Sequence, residues 1–325
     1  MDRVAANGEP GRERTSGSGD VMRIAVLGTG ALGCVFAAKL ARYAEVWVLG
    51  TWTAAIDAIR RDGIRIHDRD GSTWQAHVKA TSDPAEVPPC DVALLLVKSY
   101  QTERAAAWAA QVLGPDGLAV TFQNGLDNGP KLEAAVGGER VAIGVNYTGA
   151  MLIGLGETRH TAQLTNLIGT RPAIAAKAAA LIDIMTTASL NARATDAIEG
   201  ELWGKAIANA AINPLTALWR VPNGELLATD ERRALLRALV DEAAAVARAR
   251  GVALPLADPL AHTEKICRAS APNHSSMLQD VERGRPTEID SINGIITAEG
   301  RRLGVPTPLN EMVWRLIRAM TGVAG

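Results

Sequence analysis

Along the first half of the chain, blocks of apolar residues switch between two periods. Residues 23–27 form a short apolar run of strand character, and residues 31–41 follow with helical spacing. Residues 45–49 (Glu-Val-Trp-Val-Leu) read as a second strand, and 53–62 as a helix stopped by Gly63. Residues 64–67 and 75–80 read as shorter strands about a turn at Arg69-Asp70-Gly71. The runs 91–97 and 118–122 are apolar strands flanking a helical stretch at 101–113. Strands at 140–145 and 163–168 and a helix at 175–188 complete this half. Continuous apolar strands alternating with helices predict a parallel sheet covered on both faces.

Beyond Asp196 helical spacing takes over, at 197–211, 232–250, 255–268, 275–283, 288–303 and 309–320. Gly251 and Gly304 stand where C-terminal caps belong. No Pro- or Gly-rich linker separates the halves, which predicts two domains packed together over a cleft. Residues 2–20 are polar and rich in Gly, Ser, Arg and Glu, which predicts a disordered tail over 1–21 with Met22 as an alternative start.

The junction of the first strand and first helix reads Gly28-Thr29-Gly30-Ala31-Leu32-Gly33. A dinucleotide pyrophosphate needs this order. The first glycine permits the tight turn, the second lets backbone approach the phosphates, and the third lets helix and strand pack closely. The helix N-terminus then presents free N–H groups to the anion. A glycine triplet by itself can be a structural turn; the strand–turn–helix context is what favours a cofactor. The fold expected is α/β, with an N-terminal Rossmann-type doubly wound sheet over 22–196 followed by an all-helical C-terminal domain over 197–325.

Charge narrows the partners. Lys and Arg total 34 and Asp and Glu 35, so no global field draws the chain to nucleic acid or membrane, and an anion site must be local. No apolar run is long enough to span a bilayer. Cys34, Cys90 and Cys267 are far apart and odd in number, which predicts reduced thiols and a cytoplasmic protein. The histidines lack metal-ligand spacing, so no metal is expected. Apolar faces on the C-terminal helices suit either a homodimer or packing on the first domain.

Several polar residues do not belong in a core. Glu201, Lys205, Asn209 and Asn213 recur every four positions on a helix that is otherwise apolar nearly all round. They form either a solvated stripe or the wall of a cleft. A lysine in such a wall can shift its pKa on desolvation and give a proton to a developing alkoxide. Pro286 or Thr287 can open a helix with Glu288 in its first turn, where the dipole alone favours an acid. Lys98 and Asn124 each follow an apolar strand, at the sheet edge where ligands bind in open α/β folds. Each also has a plain alternative, as a surface cation and as part of an Asn-Gly turn.

Taken together, these motifs resemble the ketopantoate reductase (2-dehydropantoate 2-reductase) family, from about Arg23 to Met320. The glycine loop is shared with many dehydrogenases. More specific are Glu201-Leu-Trp-x-Lys205, Ile212-Asn213-Pro214-Leu-Thr216-Ala217, Pro222-Asn223-Gly224-Glu225, Ser275-Ser276-Met277-Leu-Gln-Asp280 and Thr287-Glu288-Ile289-Asp290-x-Ile-Asn293-Gly294. The resemblance implies NADPH-dependent reduction of 2-dehydropantoate to pantoate, in pantothenate and coenzyme A synthesis. It implies that Lys205 is the general acid and that Glu288 bonds at the reaction centre and the cofactor. It implies that Asn209, Asn213, Asn223 and Ser276 hold the substrate's hydroxyl and carboxylate. Lys98 and Asn124 would line cofactor and substrate, and the Ala150 backbone would pass beside the nicotinamide. A related 2-oxo acid as substrate, and a nucleotide-binding sensor without turnover, are the alternatives; Lys205 and Glu288 argue against the sensor, which needs neither.

One position departs from the family. An acid after the second strand favours NAD and a base favours NADP. Here Leu49 is followed by Gly50-Thr51-Trp52-Thr53, with neither. Arg60 and Arg61 are the nearest arginines in sequence, on the next helix. NADP is retained on family grounds, with NADH open.

Overall fold

The structure is a computed structural model that describes residues 21–321. The expected disordered tail lies outside the described residues except for Val21. In chain order the first part comprises β1 (Arg23–Leu27), α1 (Ala31–Leu40), β2 (Glu45–Leu49), α2 (Thr53–Asp62), β3 (Ile64–His67), β4 (Thr73–Ala76), β5 (Lys79–Thr81), β6 (Cys90–Leu95), α3 (Thr102–Val112), β7 (Leu113–Thr121), α4 (Asn128–Val136), β8 (Val141–Val145), β9 (Thr148–Gly154), β10 (Glu157–Gln163), β11 (Asn166–Gly169), α5 (Ala175–Thr187) and β12 (Ala192–Thr195). The second part is helical: α6 (Ile198–Trp219), α7 (Asp230–Ala249), α8 (Pro259–Ala269), α9 (Ser276–Glu282), α10 (Ile295–Leu303) and α11 (Pro308–Thr321).

Eight strands form one sheet in the order β12-β11-β8-β7-β6-β1-β2-β5. All neighbours are parallel except β11 against β8. Side chains alternate across β1: Ile24 and Val26 join the core on one face, Ala25 and Leu27 the core on the other. Both faces are buried, so the strand reads as a continuous apolar run.

A second sheet, β4-β3-β10-β9, is the main departure from the expected pattern. It covers α1, which is therefore held between two sheets and buried from Gly33 to Leu40. The stretch 75–80, expected as one strand, is two. β4 pairs with β3 in the small sheet and β5 with β2 in the large one, so the chain changes sheets between them. β10, of sequence Glu-Thr-Arg-His-Thr-Ala-Gln, carries no apolar run, whereas β9 carries one at 150–153 that sequence reasoning passed over. β12 is a short edge strand of sequence Ala-Arg-Ala-Thr.

Burial of α1 takes a lysine with it. Lys39 is 5% exposed and its Nζ lies 2.7 Å from Asp68 Oδ2. The other Asp68 oxygen lies 2.8 Å from His160 Nδ1 on β10. Lys39 and its neighbours hold the Asp68 carboxyl at about 2 against the opposing effect of burial. This cluster ties α1 to the small sheet.

Two helix bounds also differ from expectation. α6 runs on to Trp219 rather than stopping at residue 211, although it contains Pro214. Proline lacks the N–H that would bond to Ala210 and normally breaks a helix interior. Here the buried Asn293 Nδ2 donates to the Ala210 carbonyl at 2.8 Å and replaces the missing donor. Glu288, expected in a first helical turn, lies before the helix. The chain first makes a π-helical turn at Asp290–Gly294 and only then enters α10. Glu288 thus stands two residues before the π-helical turn instead of inside a first α-helical turn.

The three cysteines are free and buried. Burial pushes the Cys34 and Cys90 thiols up to about 12 and Cys267 to about 11, so none is a reactive thiolate. Among the described residues no helix is long and apolar enough to cross a membrane.

Candidate active site

The carboxyl ends of β1, β2, β6, β7 and β8 open onto one cavity of about 610 Å³. Residues of α9 and the loop before the π-helical turn form its far wall. The cavity therefore lies where the sheet meets the helical part, at the edge where open α/β sheets bind ligands.

The glycine loop forms one end, and its three glycines do different things. Gly28 has φ +134°, and a Cβ there would stand 2.8 Å from the Leu96 carbonyl oxygen. A Cβ on Gly33 would stand 2.0 Å from the Gly28 oxygen, so Gly33 serves helix–strand packing and does not face the cavity. A Cβ on Gly30 would meet nothing within 4 Å, which leaves its backbone open to a ligand. α1 starts after Gly30 with no side-chain cap, and Gly28, Thr29, Gly30, Ala31 and Leu32 line the cavity. Uncapped N–H groups at an open helix end suit a pyrophosphate. The residues present fit a dinucleotide.

The opposite end is polar and joins the two parts of the chain. Glu288 is 6% exposed. Its Oε1 accepts from the Ser99 backbone N–H at 3.1 Å and its Oε2 from Asn124 Nδ2 at 3.3 Å. Lys98 Nζ lies 3.8 Å from Glu288 Oε2 and 2.6 Å from Asp280 Oδ2. Burial works against the Lys98 charge, yet Glu288 and Asp280 outweigh it and hold the ammonium above the ordinary lysine range. Burial pushes the Asp280 carboxyl up despite Lys98.

Asn124 is held by its surroundings. Thr102 Oγ1 donates to Asn128 Oδ1 at 2.7 Å, and Asn128 Nδ2 donates to the Asn124 carbonyl at 2.8 Å. Gly125 has φ +106°, and a Cβ there would stand 2.7 Å from the Ser291 Cβ. The Asn-Gly pair is thus a close approach between the two parts of the chain as well as a turn.

Lys205 lies on α6 in a small chamber beside the main cavity, with Asn124 and Asn209. Its Nζ donates to the Asn146 carbonyl and sits 5.3 Å from the centre of the Tyr147 ring. Burial lowers its pKa to about 8, while Glu288 pulls in the opposite direction. Asn124 lines both spaces and hydrogen-bonds Glu288.

Of the remaining sequence candidates, Ser276 and Ala150 line the main cavity. Asn213 is buried on α6 and borders neither space. Asn223 borders neither: its Nδ2 donates to Ser270 Oγ at 2.8 Å, and its buried Oδ1 has no partner among the described residues. Glu201, first in the expected stripe, turns outward, 3.9 Å from Arg193. Sequence reasoning gave no role to Asp280, Asn146 or Arg104, all on the cavity wall. Asn146 follows β8 just as Lys98 and Asn124 follow β6 and β7, so the strand-end rule could have found it. Asp280 carried no such signal, because its partner is 182 residues away.

Comparison with known proteins agrees along most of the chain. The sequence model of the family "Ketopantoate reductase PanE/ApbA" matches residues 24–173, and that of "Ketopantoate reductase PanE/ApbA C terminal" matches 197–321. The 2-dehydropantoate 2-reductase of Archaeoglobus fulgidus is 31% identical, covering 92% of this chain and 98% of its own. The PanE/ApbA family ketopantoate reductase of Ralstonia eutropha superposes with TM-score 0.85 at 33% identity, over 93% of this chain and 99% of the other. A D-mandelate dehydrogenase in complex with NADH and anilino(oxo)acetate superposes with TM-score 0.87 at 27% identity, over 93% and 99%. With both parts matched in order and relatives aligned nearly end to end, the chain belongs to the ketopantoate reductase family of oxidoreductases.

Proposed function

We propose that this protein reduces 2-dehydropantoate to pantoate with NADPH. The observation that carries the reading is the meeting of Glu288, Lys98 and Asn124 at one wall of the glycine-loop cavity, with Lys205 in the adjoining chamber. Bound NADPH would supply the hydride that goes to the C2 ketone. Lys205 gives a proton to the ketone oxygen as negative charge grows there. A lysine held near about 8 is protonated at neutral pH yet close enough to its pKa to release the proton. Glu288 and Asn124 orient the reacting end, and Ser276 and Asn209 serve the substrate's hydroxyl and carboxylate; Asn213 and Asn223, which border neither space, are assigned no contact with it. The glycine loop with Lys98 and the Ala150 backbone serves the cofactor. Closure of the sheet part on the helical part excludes water.

NADPH rather than NADH is supported by charge. Lys98, Arg104, Arg283 and Arg285 line the cavity against only Asp280 and Glu288, in a chain of net charge −1. The division into domains at 22–196 and 197–325 is supported by separate apolar cores on the sheet and among the helices. A homodimer is supported by Met312, Leu316 and Met320, exposed and four apart along α11. A cytoplasmic setting is supported by three unpaired thiols.

The second reading is reduction of another 2-oxo acid, favoured by the likeness to D-mandelate dehydrogenase. One experiment separates the two: loss of reduced-nicotinamide absorbance with NADPH and with NADH, each against 2-dehydropantoate and benzoylformate. Turnover of 2-dehydropantoate with NADPH is expected to dominate. Turnover of benzoylformate alone would replace the first reading by the second, and no turnover in any pairing would sink both.

A further inference from the structure

We infer that the cation selecting NADPH stands on α3, as Arg104, instead of at the end of β2. The inference rests on the NADPH reading above.

The end of β2 is closed to such a side chain. A Cβ at Gly50 would stand 2.6 Å from Thr29 Cγ2 and 3.0 Å from Thr29 Oγ1. Thr29 is itself buried within the glycine loop. A base at position 50 would therefore have to push aside the buried Thr29 side chain of the loop proposed to receive the pyrophosphate. Thr51 and Trp52 follow on the cavity wall, and neither carries charge.

The facing wall is α3. Gln101, just before it, and Arg104, Ala105 and Trp108 all line the cavity, a spacing that places them on one helix face. Ala105 and Trp108 pack in the same apolar cluster as Leu49, the last residue of β2. α3 packs on β6 and β1, and β1 is the sheet neighbour of β2, so the cavity face of α3 stands one strand away from the end of β2, where this fold seats the adenosine ribose. Arg104 is exposed and has no ion pair or side-chain hydrogen bond among the described residues.

Other cations are committed or placed elsewhere. Arg60 donates to the Ala80 carbonyl at 2.6 Å and lies 3.2 Å from Glu86, and Arg61 lies 2.6 Å from Asp62. Neither lines the cavity. Lys98 is held by Asp280. Arg283 and Arg285 come from the wall of Ser276 and Glu288, at the other end. Arg104 is thus the uncommitted guanidinium on the α3 wall of the cavity. Its planar fork suits a 2′-phosphate, and Trp108 one turn along offers a flat apolar surface to the adenine.

The test is equilibrium binding followed by tryptophan fluorescence, since Trp52 and Trp108 line the cavity. The probes are adenosine 2′,5′-bisphosphate and adenosine 5′-monophosphate, against the wild type, Arg104→Gln and Arg104→Lys. The wild type is expected to prefer the bisphosphate. Arg104→Gln is expected to weaken the bisphosphate about tenfold or more, as loss of a charge-assisted bond does. It should leave the monophosphate unchanged, and Arg104→Lys should recover part of the loss. A wild-type preference that survives in Arg104→Gln, or equal loss of both probes, would overturn the role of Arg104 and leave the NADPH reading standing. A wild type indifferent to the 2′-phosphate would overturn both.

Discussion

Lys98 Nζ and Asp280 Oδ2 stand 2.6 Å apart and join the end of β6 to α9. The pair sits beside Glu288, so it fastens the two parts of the chain where the chemistry is proposed. The Lys98 pKa is raised in the folded protein, so this stabilisation is fully present below the ordinary lysine range and is lost as pH rises through the higher folded value. Lys98→Met is expected to cost about 2 kcal/mol in urea unfolding at neutral pH, because it leaves Asp280 and Glu288 without their cation. Lys98→Met should be less costly in the Asp280→Asn background than alone, and strict additivity would deny the coupling.

Lys205 makes a pH prediction of opposite sign. Its folded pKa is lowered to about 8, so the acid form is lost above that value. The ratio kcat/KM is expected to fall about tenfold per pH unit beyond it, and Lys205→Met to lower kcat about 100-fold or more. Between about 8 and the unfolded lysine value the unfolded chain holds the proton and the folded one does not, so this group's contribution to stability rises with pH. A flat rate profile through this range would remove Lys205 as the acid.

The Asn293 amide and Pro214 form a testable pair. Asn293→Ala leaves the Ala210 carbonyl without its donor and is expected to cost about 2 kcal/mol. Pro214→Ala restores a backbone N–H to the same carbonyl, so the double variant should recover about 1 kcal/mol of that loss. Recovery is read by thermal or urea unfolding; its absence would mean that α6 tolerates Pro214 for another reason.

Asp68 should make the fold acid-sensitive in a defined window. Its folded pKa is depressed to about 2, so its stabilisation is present above the unfolded value and is lost as pH falls from about 4 to about 2. Asp68→Asn is expected to cost about 2 kcal/mol at pH 7. The gap between variant and wild type should shrink to about half by pH 3. A gap that stays constant with pH would show that packing, not charge, holds α1 to the small sheet.

Local pattern determined much of this protein by itself. The bounds of β1, β2, α2 and β3 follow directly from apolar periodicity and from Gly63. Gly28, Gly30 and Gly33 announced their separate duties because each is a backbone constraint within six residues. The candidates Lys98 and Asn124 followed from strand ends, and Lys205 from the polar stripe of Glu201, Lys205, Asn209 and Asn213 on an otherwise apolar helix. What the tertiary structure alone decided is how distant residues satisfy one another. Asn293 lets α6 continue through Pro214, the Thr29 side chain crowds position 50, and Asp280 holds Lys98 across 182 residues. Pairing of β3 with β10 into a separate small sheet was hidden because β10 is polar along its length, and Arg104 because nothing local marks which helix face turns toward the cavity. Periodicity records which side of an element is buried; it does not record against what.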